Sequence, residues 1–198
     1  AQYRPTVHSQ SSGWITKSIL TDRKHAYTLS GMFFDSETSI ATLQIKSSER
    51  YQELKSASSL KFIYEQNDST QLNLMLNVTD TLRELLPPTK QIIQQEWKGE
   101  ISEADFLFEG ALGLRALGVV LEDNEGVIVD NFSLRGNSGM VLAQLDSSRC
   151  REWNQIRPYD LIVLQYGLNV ASDSVLNYGW YGAHMVKVIN HLQCCFPE

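Results

Sequence analysis

The feature that most constrains this chain is a change of hydrophobic period near Gly126. Upstream, "QLNLMLNV" (Gln71–Val78) alternates polar and apolar residues strictly. That period of two suits a strand with one face buried and one in water. "SIATLQIKS", "LKFIYEQ", "ADFLFEG", "LRALGVVLED" and "HAYTLSGMFFD" are similar short runs, parted by Asp, Asn, Ser and Gly clusters. The spacing predicts an antiparallel β-sandwich. "DTLRELLPP" is the exception, predicted as a single helical turn stopped by Pro87-Pro88.

Downstream the pattern is strand, helix, strand, helix. "GVIVD" and "DLIVLQYG" are apolar runs of the kind that form parallel strands covered on both faces. "SGMVLAQLDSSRCREWNQI" and "YGWYGAHMVKVINHLQCCFP" have helical period, the second ended by Pro197. The expected fold class is therefore mixed, α+β. A sandwich domain (1–124) precedes part of an α/β, flavodoxin-like three-layer domain (125–198).

Composition excludes some partners. With 17 basic and 23 acidic residues in 198, the net charge is −6 and no basic cluster suits a phosphate backbone, so no nucleic acid is expected. The longest apolar runs are too short for a membrane span. No leader is visible at Ala1, and trimmed chains lose such segments. Cys150, Cys194 and Cys195 lack metal-ligand spacing and are expected to be structural or incidental thiols, and no metal or organic cofactor is implied.

Ligands of open parallel sheets sit beyond the strand ends. Two polar loops fall there, "DNFSLRGNSG" and "QYGLNVASDS". Gly136 near a helix start and Asn169 after a strand could aim a backbone N–H and a side-chain amide at one oxygen, the recipe for an oxyanion hole. Both residue types are also ordinary turn formers.

"SLRGNSG" followed by "DLIVLQYGLNV" resembles the second and third conserved blocks of the SGNH (GDSL-like) hydrolase superfamily. The resemblance implies that Gly136 and the Asn of Gly167-Leu168-Asn169 are the oxyanion donors of a serine esterase. "GVIVDNFSLRGNSG" is similar to a branch carrying an inserted β-sandwich, which includes bacterial peptidoglycan and carbohydrate O-acetylesterases. It implies an acylated carbohydrate or peptidoglycan substrate and a secreted, periplasmic or cell-envelope location. The family's Gly-Asp-Ser and Asp-x-x-His motifs do not occur here, so the chain is expected to be an internal piece of a longer esterase. Ser133 and Ser138 flank Gly136, while His184 and His191 lie on the last helix and His8 and His25 in the β-rich part. These do not suggest a complete triad.

The alternative is a non-catalytic carbohydrate-binding sandwich with an α/β partner, and a third reading is a surface interaction module. Trp14, Trp97, Phe33, Phe34 and Tyr64 are either core or a sugar-stacking platform. Trp180 and Tyr181 either border the crevice or pack the helix start, and Asp173 either orients a partner or caps a helix.

Overall fold

The computed structural model describes residues 7–48 and 54–197, without the side chains of Val7 and His8. The His8 side chain therefore lies outside what is described. The chain forms two compact units: residues 1–16 with 34–129, and residues 17–33 with 130–198.

Among the described residues the first unit is built on ten strands, two of them shared with the second unit. These are β1 (Val7–Ser12), β2 (Trp14–Ser18), β3 (Met32–Ser36), β4 (Ile40–Ser47), β5 (Ala57–Glu65), β6 (Thr70–Leu76), β7 (Asp80–Leu86), β8 (Ile93–Ile101), β9 (Glu103–Glu109) and β10 (Arg115–Glu122). The chain leaves this unit within β2 and returns within β3. Two five-stranded sheets result, in the orders β1-β4-β9-β6-β7 and β2-β3-β10-β5-β8. The pairings of β4 with β9, β6 with β9 and β5 with β10 are antiparallel. The expected sandwich is present.

Alternation decides which side chains enter the core. In β6 every second residue is buried, Thr70, Leu72, Leu74 and Leu76. In β9 Ala104, Phe106 and Phe108 are buried between half-buried or exposed neighbours. Leu60, Phe62 and Tyr64 of β5 and Trp97 of β8 join them in one cluster. Phe62 stacks on Tyr64 with centroids 5.2 Å apart and meets Phe108 at 5.1 Å. Burying each such ring contributes about 1.5–3 kcal/mol.

"DTLRELL" is a strand, β7, where a helical turn was expected. It pairs residue for residue with β6, from Thr70 opposite Leu86 to Leu76 opposite Asp80. A tight turn joins the two, with Asn77 at φ 51° and Val78 at φ 67°. The ladder with β6 overrides a weak local preference for helix.

The second unit buries Ile19, Tyr27, Leu29 and Phe33 together with Leu142, Leu145, Cys150, Trp153, Val188 and Leu192. Tyr27 stacks on Phe33 at 5.1 Å. Its helices are α1 (Ser147–Ile156) and α2 (Gly179–Cys195). The first expected helix is broken: Met140–Gln144 is a short 3-10 turn, and Asp146 then caps α1 by accepting from the Arg149 N–H at 2.9 Å. Gly139, at φ 86°, leads into that turn, and a Cβ there would lie 2.7 Å from the Tyr166 ring.

The expected α/β half is not seen. Gly126–Asp130 and Leu161–Gln165 form no strand. Val127 and Val129 are 93% and 82% exposed, and Leu161 and Val163 are 77% and 75% exposed. An apolar run forms a buried strand only where something covers it. No helix of the described residues is long and apolar enough to cross a membrane.

Candidate functional site

The solvent face of the sheet β1-β4-β9-β6-β7 carries an open groove of about 590 Å³. Its floor follows from the pleat. Core residues take alternate positions on each strand, so the intervening ones share the outer face. Register then sets them in rows across the sheet. One row runs Gln10, Gln44, Asp105, Met75, Thr81, and the next runs Ser12, Thr42, Leu107, Asn73, Arg83.

The chemistry of these rows is amide, hydroxyl and carboxylate, interrupted by the apolar Met75 and Leu107 and ended on β7 by the Arg83 guanidinium. Asn73 donates from Nδ2 to Glu109 Oε2 at 2.7 Å, and Gln44 donates from Nε2 to Glu103 Oε1 at 3.3 Å. Lys46 pairs with the same Glu103 at 3.4 Å. Asp105, half-buried in the groove, has no ion pair or hydrogen-bonded side-chain partner among the described residues. Amides donate and accept at once, while a carboxylate only accepts. Such a surface suits a ligand whose hydroxyls do both.

The aromatic residues do not form a stacking platform. Trp97, Tyr64 and Phe33 are buried. Trp14 donates from its indole to the Thr42 carbonyl at 2.9 Å and sets its ring edge-on to Phe108. Phe34 alone is exposed. The groove residues were not anticipated from the sequence, where they look like the ordinary wet face of strands.

The residues singled out in the second unit have other partners. Gly136 lies in a turn at φ 79°, four residues ahead of the 3-10 turn, and Asn137 N–H donates to the Leu134 carbonyl. Asn169 Nδ2 donates to the Asn137 carbonyl at 2.9 Å, so the two polar loops do meet. Ser133 Oγ donates to Asn131 Oδ1 at 2.5 Å, and Ser138 offers its carbonyl to Tyr181 Oη at 2.7 Å. His184 Nδ1 contacts the carbonyl of Trp180, and His191 Nε2 that of Leu145, both at 2.8 Å. His25 sits 3.3 Å from Asp22. Trp180 is half exposed and edge-on to Tyr181. Asp173 lies in a turn ahead of α2, whose N-cap is Tyr178. Burial pushes the Cys150 and Cys195 thiols up, while Cys194 is exposed. Among the described residues no group of three His, Cys, Asp or Glu is placed to hold a metal.

The loop that looked like an oxyanion site is tied down by a buried ion pair. Arg157, 8% exposed, donates to both oxygens of Asp130 at 2.5 and 2.9 Å. Tyr159 Oη donates to Asp130 Oδ2 at 2.8 Å and accepts from the Trp153 indole at 3.0 Å. Burial, opposed by the Trp153 hydrogen bond and reinforced by Asp130, raises the Tyr159 pKa.

No protein-family model and no curated protein matches the chain. Solved structures that it resembles include a family 29 carbohydrate-binding module variant at 12% identity and TM-score 0.38, covering 62% of this chain and 87% of that one. A second family 29 module gives 13% identity, TM-score 0.38 and coverage of 60% and 80%. A charge-reversal variant of a family 29 module gives 12%, 0.39, 62% and 86%. The resemblance to SGNH hydrolases is overturned. The two segments expected as its parallel strands form none, and no family model supports it. The expected esterase activity, which rested on that resemblance, is corrected with it.

Proposed function

We propose that the sandwich unit is a non-catalytic carbohydrate-binding module, holding a glycan along the groove on β1-β4-β9-β6-β7. The observation that carries this reading is the row Gln10, Gln44, Asp105 on three adjacent strands, beside Asn73, in an open groove. Sugar hydroxyls both donate and accept, and an amide beside a free carboxylate meets both demands. Leu107 and Met75 supply apolar area for the C–H faces of a ring. On this face Glu103, Glu109 and Asp105 outnumber Lys46 and Arg83, which favours neutral over acidic glycans because like charges repel.

The groove is open to solvent, which suits a surface-bound glycan rather than an enclosed monosaccharide. Affinity electrophoresis of the whole chain through gels of neutral polysaccharides tests the reading. Retardation that is reduced in Gln44→Ala and reduced further in Asp105→Ala supports it. Free migration in every neutral gel, or retardation unchanged in both variants, overturns it.

A further inference from the structure

The second unit carries a buried pair of thiols. Cys150, in the first half of α1, and Cys195, the last residue of α2, are both fully buried, whereas Cys194 is exposed. The two helices pack on each other, and Arg151 Nε donates to the Cys194 carbonyl at 3.2 Å. That bond sets the start of α1 beside the end of α2 and brings the neighbouring residues, Cys150 and Cys195, together. The two thiols hydrogen-bond to each other inside this contact. Successive residues on a helix point about 100° apart, so Cys194 looks out to solvent while Cys195 looks in.

His191, one turn before Cys195, holds its Nε2 2.8 Å from the Leu145 carbonyl and 3.5 Å from Cys195 Sγ. A carbonyl can only accept, so Nε2 carries the proton and faces the sulfur with an N–H. Burial raises both thiol pKa values, and only at Cys195 is it opposed, by the hydrogen bond from Cys150 and the charge of Arg151. Cys195 is therefore the sulfur better placed to ionise, and Cys150 the one placed to follow.

We propose that Cys150 and Cys195 are a disulfide-forming pair, oxidised by a small-molecule disulfide such as oxidised glutathione. The Cys195 thiolate attacks one sulfur of the oxidant and releases the other half as a thiolate. Cys150, giving up its proton, then attacks the Cys195 sulfur of the mixed disulfide and expels the second half. Two protein thiols and one small disulfide thus become one protein disulfide and two small thiols, with two electrons passed to the oxidant and two protons to the leaving thiolates. Cys195 lies in the last turn of α2, and fraying of a helix end opens a buried sulfur to the reagent. The bond ties α1 to α2 and closes the chain between residues 150 and 195, which restricts the unfolded state.

The Cys194→Ser chain, which keeps only the pair, is incubated in buffers graded from reduced to oxidised glutathione, and a second sample is refolded in them. Mass spectrometry with peptide mapping reads the product. The expected result in both samples is loss of two hydrogens with no glutathione retained, peptides joined at Cys150 and Cys195, and a Tm raised by roughly 5–15 °C. A reductant is expected to reverse the mass change and the Tm shift. The wild-type chain is expected to show the same pairing, with any glutathione adduct confined to Cys194. Two thiols that stay free in the most oxidised buffer overturn the proposal, as does a glutathione adduct that persists on either one. A wild-type linkage of Cys194 with Cys150 or Cys195, or a joined form with no rise in Tm, also overturns it, since the native packing would then not hold the pair together.

Discussion

Gln44 of β4 and Asp105 of β9 stand directly opposite each other on the solvent face of their sheet. Neither is needed by the core beneath, where Ile45 and Phe106 are buried. Replacing either with alanine is therefore expected to leave stability within about 0.5 kcal/mol. Hydrogen bonds to a charged group are worth about 1.5–3 kcal/mol. Asp105→Ala should thus weaken glycan binding by roughly tenfold or more in isothermal titration, and Gln44→Ala by less.

Tyr64 places its hydroxyl in the sandwich core with no hydrogen-bond partner. Burial, helped by the charge of Glu84, pushes its pKa up to about 12 from 10.0. The folded state favours the protonated phenol, so this contribution is complete below pH 10 and is lost as pH rises towards 12. Tyr64→Phe removes a polar atom that costs about 1–3 kcal/mol to bury unpaired. Urea unfolding should show the variant at least as stable at pH 7, with less loss of stability between pH 10 and 12.

Val78 holds φ at 67° in the turn between β6 and β7, a conformation that costs a β-branched residue about 1–2 kcal/mol. Its side chain is 65% exposed and packs little. Val78→Gly is expected to stabilise the chain by about 1 kcal/mol, measured as a raised Tm. The neighbouring Asn77 is different. Its side chain donates to the Glu100 carbonyl at 2.7 Å and accepts from the Ser102 N–H at 2.8 Å, so Asn77→Gly should destabilise.

Asp130→Ala leaves the buried Arg157 guanidinium without its carboxylate. Breaking such a pair from one side costs about 3–5 kcal/mol. Replacing both members with apolar residues of similar volume should recover much of the loss, and denaturant unfolding of the single and double variants checks this.

Much of the sandwich was legible. "QLNLMLNV" and "ADFLFEG" alternate cleanly, and β6 and β9 stand where that alternation put them. The helix expected over "YGWYGAHMVKVINHLQCC" is α2. β7 and β8 escaped notice because edge strands with charged residues on both faces carry little periodic signal, and β8 is the polar "IQQEWKGEI". "GVIVD" and "DLIVL" misled for the opposite reason, since an apolar run signals burial without saying what buries it. The groove left no local trace. Gln44, Asn73 and Asp105 are far apart in the chain, and only the order β4-β9-β6 brings them side by side.

The most direct measurement is a titration of the isotopically labelled whole chain with neutral oligosaccharides, following the side-chain amide signals by NMR. The expected result is saturable shifts of Gln10, Gln44 and Asn73, with the midpoint moved to roughly tenfold or more higher ligand in Asp105→Ala while the remaining spectrum is unchanged. Saturable shifts confined to residues outside the β1-β4-β9-β6-β7 face, or none with any neutral glycan, would contradict it.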